Sequence, residues 1–218
     1  MKRALTLLLA AMLAACAMPH AKIAPEQSTD SAIHTDLIRG LLASGQYYAA
    51  LAHIDDEQKR NGRSDELSAL RGDALAALGR ATEADAIYRS LLSGAFAPEG
   101  YHGLGLLHVR GSPARGIGYL KSAVGQRPTN AQWRNDYGYA LMSSGRFAEA
   151  LPELATATEL DPRSERYRNN LVILLILMKD ESRVARLKQQ WNLSPATLGE
   201  LRRQAQAVQV QVAAARKG

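Results

Sequence analysis

A chain of 218 residues, 46% of them hydrophobic, can bury one sizeable core or one solenoid. Its 27 Lys and Arg stand against 21 Asp and Glu, and the positives are spread out, which argues against a nucleic-acid partner. The single cysteine, Cys16, excludes an intrachain disulfide, and a body without cysteine suits an oxidising compartment.

Met1-Lys2-Arg3 is a positive start, Ala4 to Ala11 a short apolar run, and Leu13-Ala14-Ala15 a small-residue cleavage site. Together they predict a secretory signal peptide over residues 1–15. The site ends directly on the sole cysteine, and Leu13-Ala14-Ala15-Cys16 resembles the bacterial lipobox. That resemblance implies diacylglyceryl attachment to the Cys16 sulfur, cleavage before Cys16 and acylation of the new amine. Each buried methylene contributes about 0.8 kcal/mol, so two or more chains anchor stably. Ala17 stands where a retention signal would place Asp, which implies a lipid anchor in a Gram-negative outer membrane, facing the periplasm.

Residues 16–30 then read as the acylated cysteine and a flexible tether. Pro19, Pro25, Gln27, Ser28, Thr29 and Asp30 show no apolar period. Such a tether spans roughly 20 Å on average. Beyond it no apolar stretch reaches the roughly 18 residues of a membrane span.

From residue 31 to 193 the pattern repeats. Gly45, Gly79, Gly111 and Gly145 each follow an apolar-periodic helical segment, at separations of 34, 32 and 34. A small-residue series keeps step, Ala50, Ala84, Gly116 and Ala150, as does a larger one, Ile54, Tyr88, Leu120 and Leu154. Each unit reads as two antiparallel helices. The glycine ends the first helix in a left-handed conformation, the small residue lets the second helix approach, and the larger one fills the space behind it. The unit from Ala131 to Pro162 is clearest, with Tyr137-Gly138, Gly145-Arg146-Phe147, Ala150, Leu154, Ala157 and Asp161-Pro162. These residue types in this order resemble the tetratricopeptide repeat, of which about four copies and a degenerate fifth fit the chain. The third unit is two residues short near Arg110-Gly111-Ser112-Pro113, which predicts a tightened turn with Ser112 as N-cap and Pro113 at the first helical position. The fifth carries Lys179-Asp180 in place of its glycine. Residues 194–218 read as a capping helix and tail, opened by Ser194-Pro195 and striped by Ala205, Val208 and Val212. The expected fold is an all-α solenoid of helix pairs with a C-terminal cap.

Chemistry is hard to find in this chain. No His-Glu-x-x-His pattern occurs among His20, His34, His53, His102 and His108. His102 and His108 fall about 240° apart on a helix, so one face cannot offer both to a metal. Asp55-Asp56-Glu57 reads as a solvated helix end. Gly100, Gly103 and Gly105 follow no strand and precede no Gly-Lys-Ser/Thr, so close helix packing explains them better than a phosphate loop. No catalytic constellation, metal site or cofactor is expected, and the chain reads as a binding protein.

Two features point to where it binds. Leu171 to Met178 is apolar on every side, which fits either burial under the final helix or a groove that receives a partner. Arg134-Asn135-Asp136 and Arg168-Asn169-Asn170 lie 34 residues apart, one repeat. Their asparagines either hold an extended peptide backbone or bridge neighbouring helices. First helices line the concave wall of such a solenoid. The candidate groove residues are therefore Leu106, Tyr139, Met142, Ile173, Ile176 and Leu177, with Asn135 and Asn169 at the mouth and Arg134 and Arg168 beside them.

The lipobox, the short tether, the repeats, Arg134-Asn135-Asp136-Tyr137-Gly138-Tyr139-Ala140-Leu141, Arg168-Asn169-Asn170-Leu171 and Asn192-Leu193-Ser194-Pro195 together resemble the TadD family. Members are outer-membrane lipoproteins of the Tad (Flp) pilus. The resemblance implies a pilotin-like role with the pilus secretin and other Tad assembly components as partners, and with the outer membrane reached through the anchor. Alternatives of the same class are the PilF/PilW-type pilotin of type IV pili and a repeat scaffold for outer-membrane assembly.

Overall fold

The computed structural model describes residues 26–215, which leaves Cys16, the predicted signal peptide and most of the predicted tether outside the described residues. Eleven helices and no strand occur among the described residues: α1 (Glu26–Ala43), α2 (Tyr47–Asn61), α3 (Asp65–Ala77), α4 (Ala81–Leu91), α5 (Ala97–His108), α6 (Pro113–Gln126), α7 (Ala131–Ser143), α8 (Phe147–Leu160), α9 (Glu165–Leu177), α10 (Glu181–Gln190) and α11 (Pro195–Ala215). Odd and even helices up to α10 form five antiparallel pairs, and each pair packs on the next.

Local chemistry sets the boundaries. Ser64, Asn130 and Ser164 open the first helices α3, α7 and α9, each accepting from the backbone N–H three residues on. The first helices of four units end in one shared turn. Gly45, Gly79 and Gly145 adopt φ near +75°, and the two carbonyls left free behind each accept from the turn, as when Gly145 N–H donates to Met142 and Arg146 N–H to Leu141. The fifth unit makes the same turn with Lys179, at φ 59°. The third unit departs from expectation. Gly111 does not enter the left-handed region. Ser112 N–H donates instead to the His108 carbonyl at 2.8 Å, and Ser112 precedes α6 without a capping bond from its side chain. Pro113 takes the first helical position as predicted.

The in-step series meet where the helices of a unit touch. Ile54, Tyr88, Leu120 and Leu154 are all buried, as are Ala50, Ala84, Gly116 and Ala150. Each large residue past the first unit presses on a glycine: a Cβ on Gly72 would lie 2.6 Å from Tyr88, one on Gly105 2.6 Å from Leu120, and one on Gly138 2.7 Å from Leu154. The core consequently runs as a row of clusters along the stack.

The ends are less regular. α1 begins at Glu26, inside the segment read as tether. From Asp30 onward it meets α2 through polar groups: Ser31 donates to Glu57 at 2.7 Å, and Arg60 lies 4.0 Å from Asp30. Glu57 itself is 1% exposed, not part of a solvated face. Burial acts to raise its carboxyl, but hydrogen bonds from Ser31 and Asn61 and the nearby charges of His34 and Arg60 hold it below the usual range. At the other end, α11 packs against α9 and reaches α7. Both are first helices, so α11 lies over the inner face of the last two units and not merely across the open end. Leu201, Ala205, Val208 and Val212 enter the same cluster as Met142 and Ile173.

Three outcomes follow for stability. Gly138→Leu should cost about 1–3 kcal/mol through overpacking, read by urea unfolding, whereas Gly125→Leu, with open space at its Cβ, should cost nothing measurable. Lys179→Gly should stabilise by about 1 kcal/mol, because an L side chain in the left-handed region is strained by about that much; a melting curve shifted downward would contradict the turn. Val208→Asp places a charge under α11 and removes burial that contributes roughly 1.5–3 kcal/mol. Limited proteolysis should then release the chain beyond Pro195 while α1 to α9 stay protected.

Candidate functional site

The inner wall is made by α3, α5, α7 and α9, and its two halves differ. Over α7 and α9 the wall is occupied by α11, and several predicted groove residues are interior there. Met142 is 0% exposed and Ile173 3%, so neither lines an open groove. Ile176 and Leu177 are half-buried beside the same cluster. Periodicity places all four on the correct side of their helices, but it carries no sign that another part of the chain covers that side.

The predicted asparagine mouth is also internal. Asn135 is buried, and its Oδ1 accepts from Asn170 at 2.8 Å. One unit earlier the equivalent step is made by His102, whose Nε2 lies 3.0 Å from Asp136 Oδ2. Counted from the contact glycines Gly105 and Gly138, His102 stands where Asn135 does in the next repeat, and Asp136 where Asn170 does one repeat later. The polar ladder therefore ties first helix to first helix, which is the bridging alternative. Asn169 is half-buried and lies outside these bonds. Arg134 is half-buried and donates to Glu153 on α8 at 2.6 Å. Arg168 is half-buried with its guanidinium 5.8 Å from the centre of the Trp191 ring.

The other half of the wall is open. A cleft of about 670 Å³ runs between α3, α5 and the start of α7, lined by Asp73, Ala76 and Ala77, by Glu99, His102, Gly103, Leu106 and Leu107, and by Gln132 and Trp133, with Tyr47 and Tyr88 at its sides. Of the predicted groove residues Leu106 belongs to this cleft. It is 46% exposed, and Tyr139, its counterpart on α7, is 44% exposed. Trp133 stacks on His102 at 4.9 Å between ring centres, so the aromatic floor is held by the same His102 that bonds Asp136.

The cleft's charged groups are acidic. Glu99 Oε1 pairs with Arg127 at 2.8 Å, while Oε2 is buried and has no hydrogen-bond partner among the described residues. Asp73 is exposed at the cleft rim, yet desolvation by the neighbouring walls pushes its carboxyl up; the Tyr88 hydroxyl, which donates to it at 2.7 Å, acts in the opposite sense. Such a surface offers acceptors to a ligand that brings N–H groups or a basic side chain, beside apolar area at Leu106. The acidic lining and the free Glu99 oxygen were missed from sequence; the signal was a carboxylate in the first turn of α5.

Among the described residues no group of three or more His, Cys, Asp or Glu could hold a metal ion, and no helix is long and apolar enough to cross a membrane.

Comparison with known proteins agrees with this architecture. Tetratricopeptide-repeat profiles match residues 35–100 and 110–171. A TPR repeat-containing protein of Pseudomonas aeruginosa is 33% identical over 194 residues, covering 85% of this chain and 77% of the relative. Among solved structures, a thermophilic TPR protein of Thermus thermophilus superposes with a TM-score of 0.62 at 19% identity, over 83% of this chain and 99% of the other. MamA from Desulfovibrio magneticus does so with a TM-score of 0.55 at 18% identity, over 80% and 96%. These two likenesses concern the fold. By its repeats, its packing and its relative, the chain belongs to the tetratricopeptide-repeat family.

Proposed function

We propose that this chain is an acylated outer-membrane lipoprotein that holds a segment of the pilus secretin in the cleft between α3, α5 and α7, as the pilotin of a Tad (Flp) system. Repeats of this family point to a protein-binding scaffold. The observation that carries the choice of face is the open cleft itself, with an unpartnered buried oxygen on Glu99 and exposed Leu106 beside it. A buried acceptor without a partner costs about 1–3 kcal/mol, which a bound backbone N–H would recover. The partner's identity rests on sequence resemblance, through the Arg-Asn motifs and the late Ser-Pro segment, and the anchor rests on Cys16 in its lipobox.

The secretin segment would run along the wall with N–H or basic groups toward Asp73 and Glu99 and an aliphatic side chain on Leu106 and Tyr139. The ends of the first helices, not their α11-covered faces, mark its far limit. Membrane anchoring would hold this cleft within tether reach of a secretin assembling in the same membrane.

The test is recovery of the intact lipoprotein from membranes with identification of what accompanies it. Leu106→Asp combined with Tyr139→Ala should cut secretin recovery at least tenfold, while helicity and fatty-acid labelling stay at wild-type levels. Cys16→Ser should lose the label and keep the fold. Undiminished secretin recovery by the double variant would remove the cleft from the account, and a wild-type protein that brings down no secretin would remove the pilotin role.

A further inference from the structure

The fourth and fifth repeats treat one arginine differently. In the fourth, the Arg134 guanidinium is well engaged: its Nε donates to the Pro128 carbonyl and a terminal nitrogen donates to Glu153. Adding one repeat of 34 residues maps Arg134 onto Arg168, Pro128 onto Pro162 and Glu153 onto Leu187. The carboxylate that neutralises the first arginine is thus a leucine at the second. Arg168 has no carboxylate within ion-pair distance among the described residues, and its Nε is buried with no acceptor. The guanidinium rests instead over Trp191.

This unpaired cation lies beside a cleft. Pro162, Leu171, Leu187, Gln190 and Trp191 line a recess of about 270 Å³ between α8, α9 and α10, with Ala155, Thr158 and Glu159 on its far wall. Its volume is near the lower bound of about 300 Å³ for small-ligand sites. The lining is largely apolar, and one of its walls, Trp191, carries the Arg168 guanidinium 5.8 Å from its ring centre. A buried guanidinium nitrogen is strongly favoured to gain an acceptor, and carboxylate is the acceptor its planar fork fits best.

We propose that this recess is a second protein-binding site, at which a partner supplies in trans the carboxylate that Glu153 supplies in cis one repeat earlier. The ligand is an acidic side chain, glutamate or aspartate, followed by an aliphatic residue. The carboxylate pairs with Arg168, and the aliphatic group enters between Leu171, Leu187 and Trp191. Glu159 on the far wall disfavours a second acidic group there. The site lies between α8, α9 and α10, away from the cleft of α3, α5 and α7, so it stands independently of the pilotin reading.

The probe is the dipeptide acetyl-Glu-Leu-amide, titrated into the full chain with the ¹⁵N resonance of Arg168 Nε as readout. The resonance should shift in a saturable way, and acetyl-Gln-Leu-amide should bind at least tenfold more weakly. Leu187→Glu restores the repeat's own pair. It should move the Arg168 resonance in the direction the probe does and abolish further response. Arg168→Gln, which keeps the stem over Trp191, should remove the preference for the glutamate probe. Equal binding of both dipeptides, or undiminished glutamate preference in Arg168→Gln, would overturn the proposal.

Discussion

The contact between a small residue on one helix and a large one on its partner governs this molecule. Gly72 under Tyr88, Gly105 under Leu120 and Gly138 under Leu154 leave no room for a single added carbon. The close approach fixes how the helices of these three pairs meet, and the pairs stack. A lone helix pair cannot bury its apolar face, so stability comes from neighbours in sequence. The third unit shows how tightly the geometry is held. Across its turn it is one residue shorter than the units on either side, yet it keeps its buried series, and Gly116 comes so close to Val109 that its Cβ would lie 2.5 Å from that backbone. The deletion falls on the loop and not on the interface.

Stacking leaves two problems at the last repeat: an inner face with no successor and a polar network with missing members. α11 solves the first by folding back over α9 toward α7 with Leu201, Ala205, Val208 and Val212. The second is solved partly. Asn135 and Asn170 close the ladder across the first helices, but the arginine that follows in register has lost its carboxylate to Leu187 and keeps an unsatisfied nitrogen. The division of the inner wall into a covered half and an open half follows from the same cap. What stays accessible is the acidic, aromatic cleft of the earlier units.

Much of this was legible in the residues. The glycine, small and large series named most of the turns and contacts, because each depends on a local steric demand that only certain side chains meet. Lys179 escaped that logic: the turn is imposed by the surrounding stack, and the chain tolerates a strained lysine at φ 59°. The site was only half legible. Leu106 and Tyr139 are exposed where the repeat position put them, while Met142, Ile173 and Asn135 are buried. A helical period says which side of α7 or α9 faces inward, but nothing in those segments encodes the α11 stripe that arrives later in the chain. Glu57 was hidden for a similar reason: its burial depends on Ser31 and His34 from α1, not on its acidic neighbours.

The central claim is that the inner wall is open at α3–α5 and closed by the chain itself at α7–α9. A photocrosslinking residue placed at position 106 or at position 173 of the full-length protein in cells tests this most directly. Position 106 should yield adducts with a second protein, and position 173 should link only to the α11 segment of its own chain. Partner adducts from position 173, with none from position 106, would contradict the account.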